Sequence, residues 1–211
     1  MRITAEAKTE TRQRILRAAS SLFVMEGWHA TTTRAIALEA GIATGTLFNY
    51  FSTKEGIAVS LVADSLERAA DAFRAGRREQ DSLEADLFLL IWSGLRSLRE
   101  FRKFLGPAVE TIFSPLARQS LESPGDAIRV DHLELVQEVI TSHGLPPTLP
   151  SVTMQLYWTL YLGVFAYWAA DDSPGQEDSL ALLDQSLKLF VASVESLGID
   201  RQGETHGRQS E

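Results

Sequence analysis

With 211 residues, 45% of them apolar, the chain is long enough for one or two modest cores, and unremarkable Pro, Gly and charge content excludes wholesale disorder. The absence of Cys removes disulfides, thiolate metal sites and cysteine nucleophiles, and a net charge of -8 at first argues against nucleic acid. Residues 1–60, however, hold seven Lys or Arg against five Asp or Glu, and residues 61–211 hold thirteen against twenty-three, so a slightly basic head precedes an acidic body.

Taken in chain order, Ile15, Leu16, Ala19, Leu22 and Phe23 recur at helical spacing and predict an amphipathic helix over Thr9–Glu26, stopped by Gly27 in left-handed conformation. A short helix follows over about 33–40, capped by Thr31 or Thr32 and ended by Gly41. A second short one runs from Thr44 to Tyr50 after a tight turn. Two short helices across such a turn, behind a longer one, form a helix-turn-helix around Leu22, Phe23, Trp28, Ile36, Ala37, Ile42 and Leu47.

Ser52 or Thr53 caps a long helix from Lys54 to about Arg78, and further helices fit about 81–99 and 102–119. Ser-Pro-Gly within 121–126 reads as a loop, followed by a helix over about 126–142. Gly144–Pro150 breaks it, and Ser151 caps the next helix, to Ala170. The last helix, about 178–197, carries Leu180, Leu183, Leu187, Phe190, Val194 and Leu197 at alternating three- and four-residue intervals, a heptad-like seam closed by Gly198.

The expected fold is all-α with about nine helices. Residues 1–53 form a three-helix head, residues 54–199 a helical effector-binding and dimerisation bundle, and residues 200–211 a polar flexible tail. Met1–Thr11 holds no apolar stretch like a signal peptide, and the most apolar window, Val152–Ala170, contains Gln155 and reads as a buried helix. A cytoplasmic chain with no membrane partner is therefore expected.

Residues 9–61 resemble the DNA-binding domain of the TetR family of bacterial repressors. The matching stretches are Gly27-Trp28-His29-Ala30-Thr31-Thr32-Thr33, Ile36-Ala37, Ala40-Gly41-Ile42, Gly45-Thr46-Leu47-Phe48-Asn49-Tyr50-Phe51 and Lys54-Glu55. The resemblance implies that Thr33 and Arg34 meet the DNA backbone, Arg34 with a possible base contact. It puts Thr44, Gly45 and Thr46 at the leading edge of the recognition helix, with Phe48, Asn49 and Tyr50 behind them. Lys54 is implied to meet phosphate. Phe48 stands where the family usually has Tyr, so a hydroxyl-to-phosphate bond is lost there. Small residues from Ala43 to Thr46 also satisfy the steric condition for entering a major groove.

In the body, Trp158, Tyr161 and Phe165 share a helix face, and Phe88, Trp92, Phe104, Phe113 and His132 on other segments complete a candidate apolar effector pocket with few polar groups. The two carboxy-terminal helices are candidates for a four-helix dimer interface, through Gly163, Ala166 and Ala170 on one and Leu180, Leu183, Leu187, Phe190 and Val194 on the other. The functional expectation is a homodimer that reads an inverted repeat in double-stranded DNA and is released by a small, mostly apolar effector. The alternative is a helical interaction module that has lost DNA binding. His29, His132, His143 and His206 are scattered, and no HExxH, P-loop or dinucleotide motif occurs, so neither catalysis nor a metal or cofactor is expected.

Overall fold

In a computed structural model, the structure describes residues 4–78, 80–102 and 124–207, the side chains of residues 124 and 197–207 excepted. Among them are eight α-helices and no strand. They are α1 (Ala5–Glu26), α2 (Thr33–Glu39), α3 (Thr44–Phe48), α4 (Lys54–Gly76), α5 (Leu83–Ser97), α6 (Pro124–Ser142), α7 (Ser151–Ala170) and α8 (Glu177–Gly207). Short 3-10 turns lie at Arg99–Phe101 and Pro174–Gln176. The all-α expectation holds; the helix expected over 102–119 lies almost wholly outside the described residues.

Two compact units emerge. One comprises the described parts of Met1–Arg68 and Ser97–Ile128, the other those of Ala69–Arg96 and Arg129–Glu211, so the division crosses α4, the end of α5 and α6. In the first unit, α1 begins earlier than its apolar stripe suggests, because Thr4 Oγ1 accepts the Ala7 N–H at 3.2 Å. Gly27 stops α1 with φ 83° and ψ 168°, a positive φ with extended ψ that essentially only glycine adopts, rather than the left-handed helical conformation expected. Ile15, Ala19, Phe23, Ile36 and Leu47 are fully buried there, and Trp28 packs on Phe23 with ring centroids 5.1 Å apart. Ile42, expected in this core, is half-buried.

In the second unit, a buried carboxylate ties three helices. Asp86 on α5 accepts Arg77 Nε, just past α4, at 2.6 Å and lies 2.8 Å from His143 Nε2, just past α6. The α7–α8 pair packs closely, with Tyr157, Val164, Phe165 and Trp168 on one helix and Leu183, Leu187, Phe190 and Val194 on the other all buried, and the Tyr157 and Phe190 ring centroids 5.1 Å apart.

Three boundaries differ from the sequence reading. Helix α6 starts at Pro124 rather than residue 126, since proline has no N–H to leave unsatisfied in a first turn. Pro150 occupies the cap position before α7, so Ser151 is already helical and makes no capping bond. Helix α8 runs to Gly207, past Gly198 and into the expected tail; one glycine costs a helix only about 1 kcal/mol and does not end it.

Candidate nucleic-acid interface

Helices α2 and α3 are held by local bonds that follow from their sequence. Thr32 Oγ1 accepts the Ala35 N–H at 3.1 Å, so Thr32, not Thr31, caps α2. Thr31 is buried instead, its hydroxyl donating to Gly27 O at 2.9 Å. At the far end, Gly41 takes φ 66°, and the Gly41 and Ile42 N–H groups donate to Leu38 O and Ala37 O, each at 3.0 Å. Those bonds turn the chain into α3.

Leu47, fully buried, fixes which face of α3 points inward. Gly45, Phe48 and Asn49 are exposed, and Thr44, Thr46 and Tyr50 are half-buried. Phe48 keeps 49% of its surface exposed, whereas Phe51 keeps 8% and belongs to the core. Asn49 and Tyr50 lie beyond the last residue of α3, which is shorter than expected. Thr33 is half-buried and Arg34 exposed in the first turn of α2. The structure thus brings Thr44, Gly45, Thr46, Phe48 and Asn49 together on or beside one short helix.

Lys54, implied to meet phosphate, is hydrogen-bonded within the head. Its Nζ donates to Trp28 O at 2.7 Å and Thr31 O at 3.0 Å, and lies 4.4 Å from the Trp28 ring centroid. The ammonium binds the loop before α2 to the first turn of α4. Arg12 is likewise engaged, with its two terminal nitrogens each 3.3 Å from an oxygen of Asp64. Lys8, Arg14, Arg17 and Arg34 are the exposed cations of the described head.

The proposed effector residues divide. Trp158, Tyr161 and Phe165 are buried in the core of the second unit, Phe88 and Trp92 are half-buried, and Phe104 and Phe113 lie outside the described residues. His132 on α6 stacks on Tyr161 with centroids 4.3 Å apart, and its Nε2 lies 2.9 Å from the Tyr157 hydroxyl. Burial lowers the His132 pKa from 6.5 to about 4 and pushes both tyrosines above their ordinary value, so this hydrogen bond joins neutral groups. Nearby, the enclosed space bordered by Ile91, Tyr157, Tyr161, Leu187 and Phe190 is about 10 Å³, room for one water at most.

The interface residues also divide, and here the sequence reading is corrected. Leu183, Leu187, Phe190 and Val194 are at most 2% exposed, because α8 spends that seam on its own subunit's core; Leu180 is half-buried. Gly163, Ala166 and Ala170 are exposed on α7. They belong to an outward stripe whose other members the sequence did not single out, Val152, Leu156, Thr159 and Tyr167 on α7 and Leu182 and Leu189 on α8. The signal was a second heptad-spaced series, 182–185–189–192, displaced by two residues from the buried one and obscured by Gln185.

The family model described as bacterial regulatory proteins, tetR family, matches residues 15–61, spanning most of α1 through the start of α4. The HTH-type transcriptional regulator UidR of Escherichia coli (strain K12) is 38% identical over 64 residues, 30% of this chain and 33% of that protein. The match thus spans about a third of the length of such curated relatives. Solved structures extend the likeness. A putative tetR family transcription regulator from Shewanella sp. PV-4 has a TM-score of 0.55 and 28% identity, over 85% of this chain and 95% of the other. FadR of Thermus thermophilus, solved in complex with lauroyl-CoA, has a TM-score of 0.61 and 24% identity over 85% and 93% of the two chains, a likeness of fold. Residues 15–61 thus carry the amino-terminal domain of the bacterial regulatory proteins of the tetR family, and the helical fold of such a regulator is matched along most of the chain.

Proposed function

We propose that the protein is a transcriptional regulator, not an enzyme: a homodimer that represses by occupying an inverted-repeat operator and is released by a small, mostly apolar effector. The observation carrying this reading is α3, a short helix pinned by Leu47 that turns Gly45, Phe48 and Asn49 outward on a head with four exposed cations. A single recognition helix touches too few base pairs to select a site, whereas two related by a two-fold axis read half-sites about 34–36 Å apart. The outward stripe on α7 and α8 is the surface assigned to that axis. Leu156, Tyr167, Leu182 and Leu189 supply apolar area, and Gly163 and Ala166 allow close helix approach.

The effector is assigned to the second unit, beside the His132–Tyr157–Tyr161 cluster, which offers neutral hydrogen-bonding groups in apolar surroundings. The bound lauroyl-CoA of the Thermus FadR supports an apolar ligand of this fold without naming the one used here. Ligand binding favours a tilt of α4 that separates the two heads from adjacent grooves. A coupling of about 3 kcal/mol would weaken DNA binding roughly 150-fold.

Selection of bound sequences from random duplex DNA by the full-length chain tests the reading. An enriched inverted repeat is expected, with affinity falling steeply as salt rises from 50 to 200 mM. Recovery of unenriched DNA, or binding indifferent to salt, contradicts it.

A further inference from the structure

Gly45 sits inside α3 without a structural reason internal to the chain. Its φ is ordinary, and a Cβ built on it would meet no atom within 4 Å. Glycine is the weaker helix former, costing up to about 1 kcal/mol relative to alanine in a helix interior. Without a side chain at this outward position, a partner surface can approach the α3 backbone closely. One turn along the same outward face stands Phe48, 49% exposed and unable to donate or accept a hydrogen bond.

In a major groove a bare phenyl ring has one specific counterpart. Phosphates and base edges present donors and acceptors, and the thymine C5 methyl is the apolar feature that distinguishes one base from the others. We infer that Gly45 and Phe48 act as one reading element, with the notch at Gly45 admitting the groove and the Phe48 ring packing on a thymine methyl. This rests on the DNA-binding reading above and adds the chemical rule for one base pair per half-site. The rule is salt-independent, because no phosphate charge takes part.

Deoxyuridine lacks only that methyl and keeps every hydrogen bond of thymidine, so it isolates the contact. The full-length chain is titrated onto the duplex enriched from random DNA, with deoxyuridine replacing each thymidine in turn in both half-sites. At one position the wild type is expected to lose about fourfold per half-site, the equivalent of one buried methyl. Phe48→Ala binds more weakly and is indifferent to that replacement, while Phe48→Tyr, which keeps the ring, retains the sensitivity. Circular dichroism and thermal melting confirm that the variants fold; should Phe48→Ala not, the wild-type scan and Phe48→Tyr carry the test.

An enriched half-site without thymine, a scan with no sensitive position, or a loss equally large in Phe48→Ala overturns the inference while leaving DNA binding standing. A wild type that prefers the enriched duplex no more than a shuffled one overturns both.

Discussion

Lys54 gives one N–H to each of two carbonyls and lies over an indole ring, so its charge is engaged inside the head. Replacing it with methionine leaves Trp28 O and Thr31 O without that donor. The Lys54→Met chain is expected to lose about 2 kcal/mol in urea unfolding, the scale of a hydrogen-bonded charge. Unchanged stability with weakened DNA binding would return Lys54 to a phosphate role. Gly45 makes the opposite prediction. Gly45→Ala is expected to raise stability by about 0.5–1 kcal/mol, because its Cβ has space within the protein, while weakening DNA binding at least tenfold if α3 meets a groove through this notch as proposed. Weakened binding without added stability would point to distortion of α3. Sequence alone marked both residues as candidates for one site. It could not tell them apart, because Lys54 finds its partners 23 and 26 residues away.

At the scale of elements, α6 meets α7 through His132, where burial keeps the imidazole neutral down to about 4. An unfolded chain takes up that proton near 6.5. Below this pH the unfolded state therefore binds a proton that the native state excludes. The contribution is fully favourable above 6.5 and declines as the pH falls toward 4, by about 1.4 kcal/mol per unit, or about 2 kcal/mol between 6.5 and 5. Urea melts at these two pH values should show that loss in the wild type and little of it in His132→Phe; equal losses in both would place the proton uptake elsewhere. The elements themselves were largely legible. Thr32, Gly27 and Gly41 marked ends through side-chain caps and positive φ, which are local effects. The Pro124 start, the Pro150 cap and the run through Gly198 were not, because each depends on a balance of small local terms around a Pro or Gly.

For the molecule as a whole, the seam on α8 shows where pattern reading ends. Heptad spacing correctly marked Leu183, Leu187, Phe190 and Val194 as a buried row, but periodicity does not say whether the covering helix belongs to the same chain. The exposed stripe of α7 and α8 is the face proposed for a second copy, and Leu189, 69% exposed, lies within it. Leu189→Lys is expected to keep the melting of an isolated subunit, to sediment as a monomer and to bind the selected duplex about thirtyfold more weakly, the loss of one central contact. An unaltered dimer would move the axis elsewhere. The most direct test of paired reading is a binding isotherm of the full-length chain on the selected duplex beside one with a single half-site scrambled. Two coupled heads predict at least a hundredfold loss on scrambling; equal affinity for the two duplexes would contradict the account.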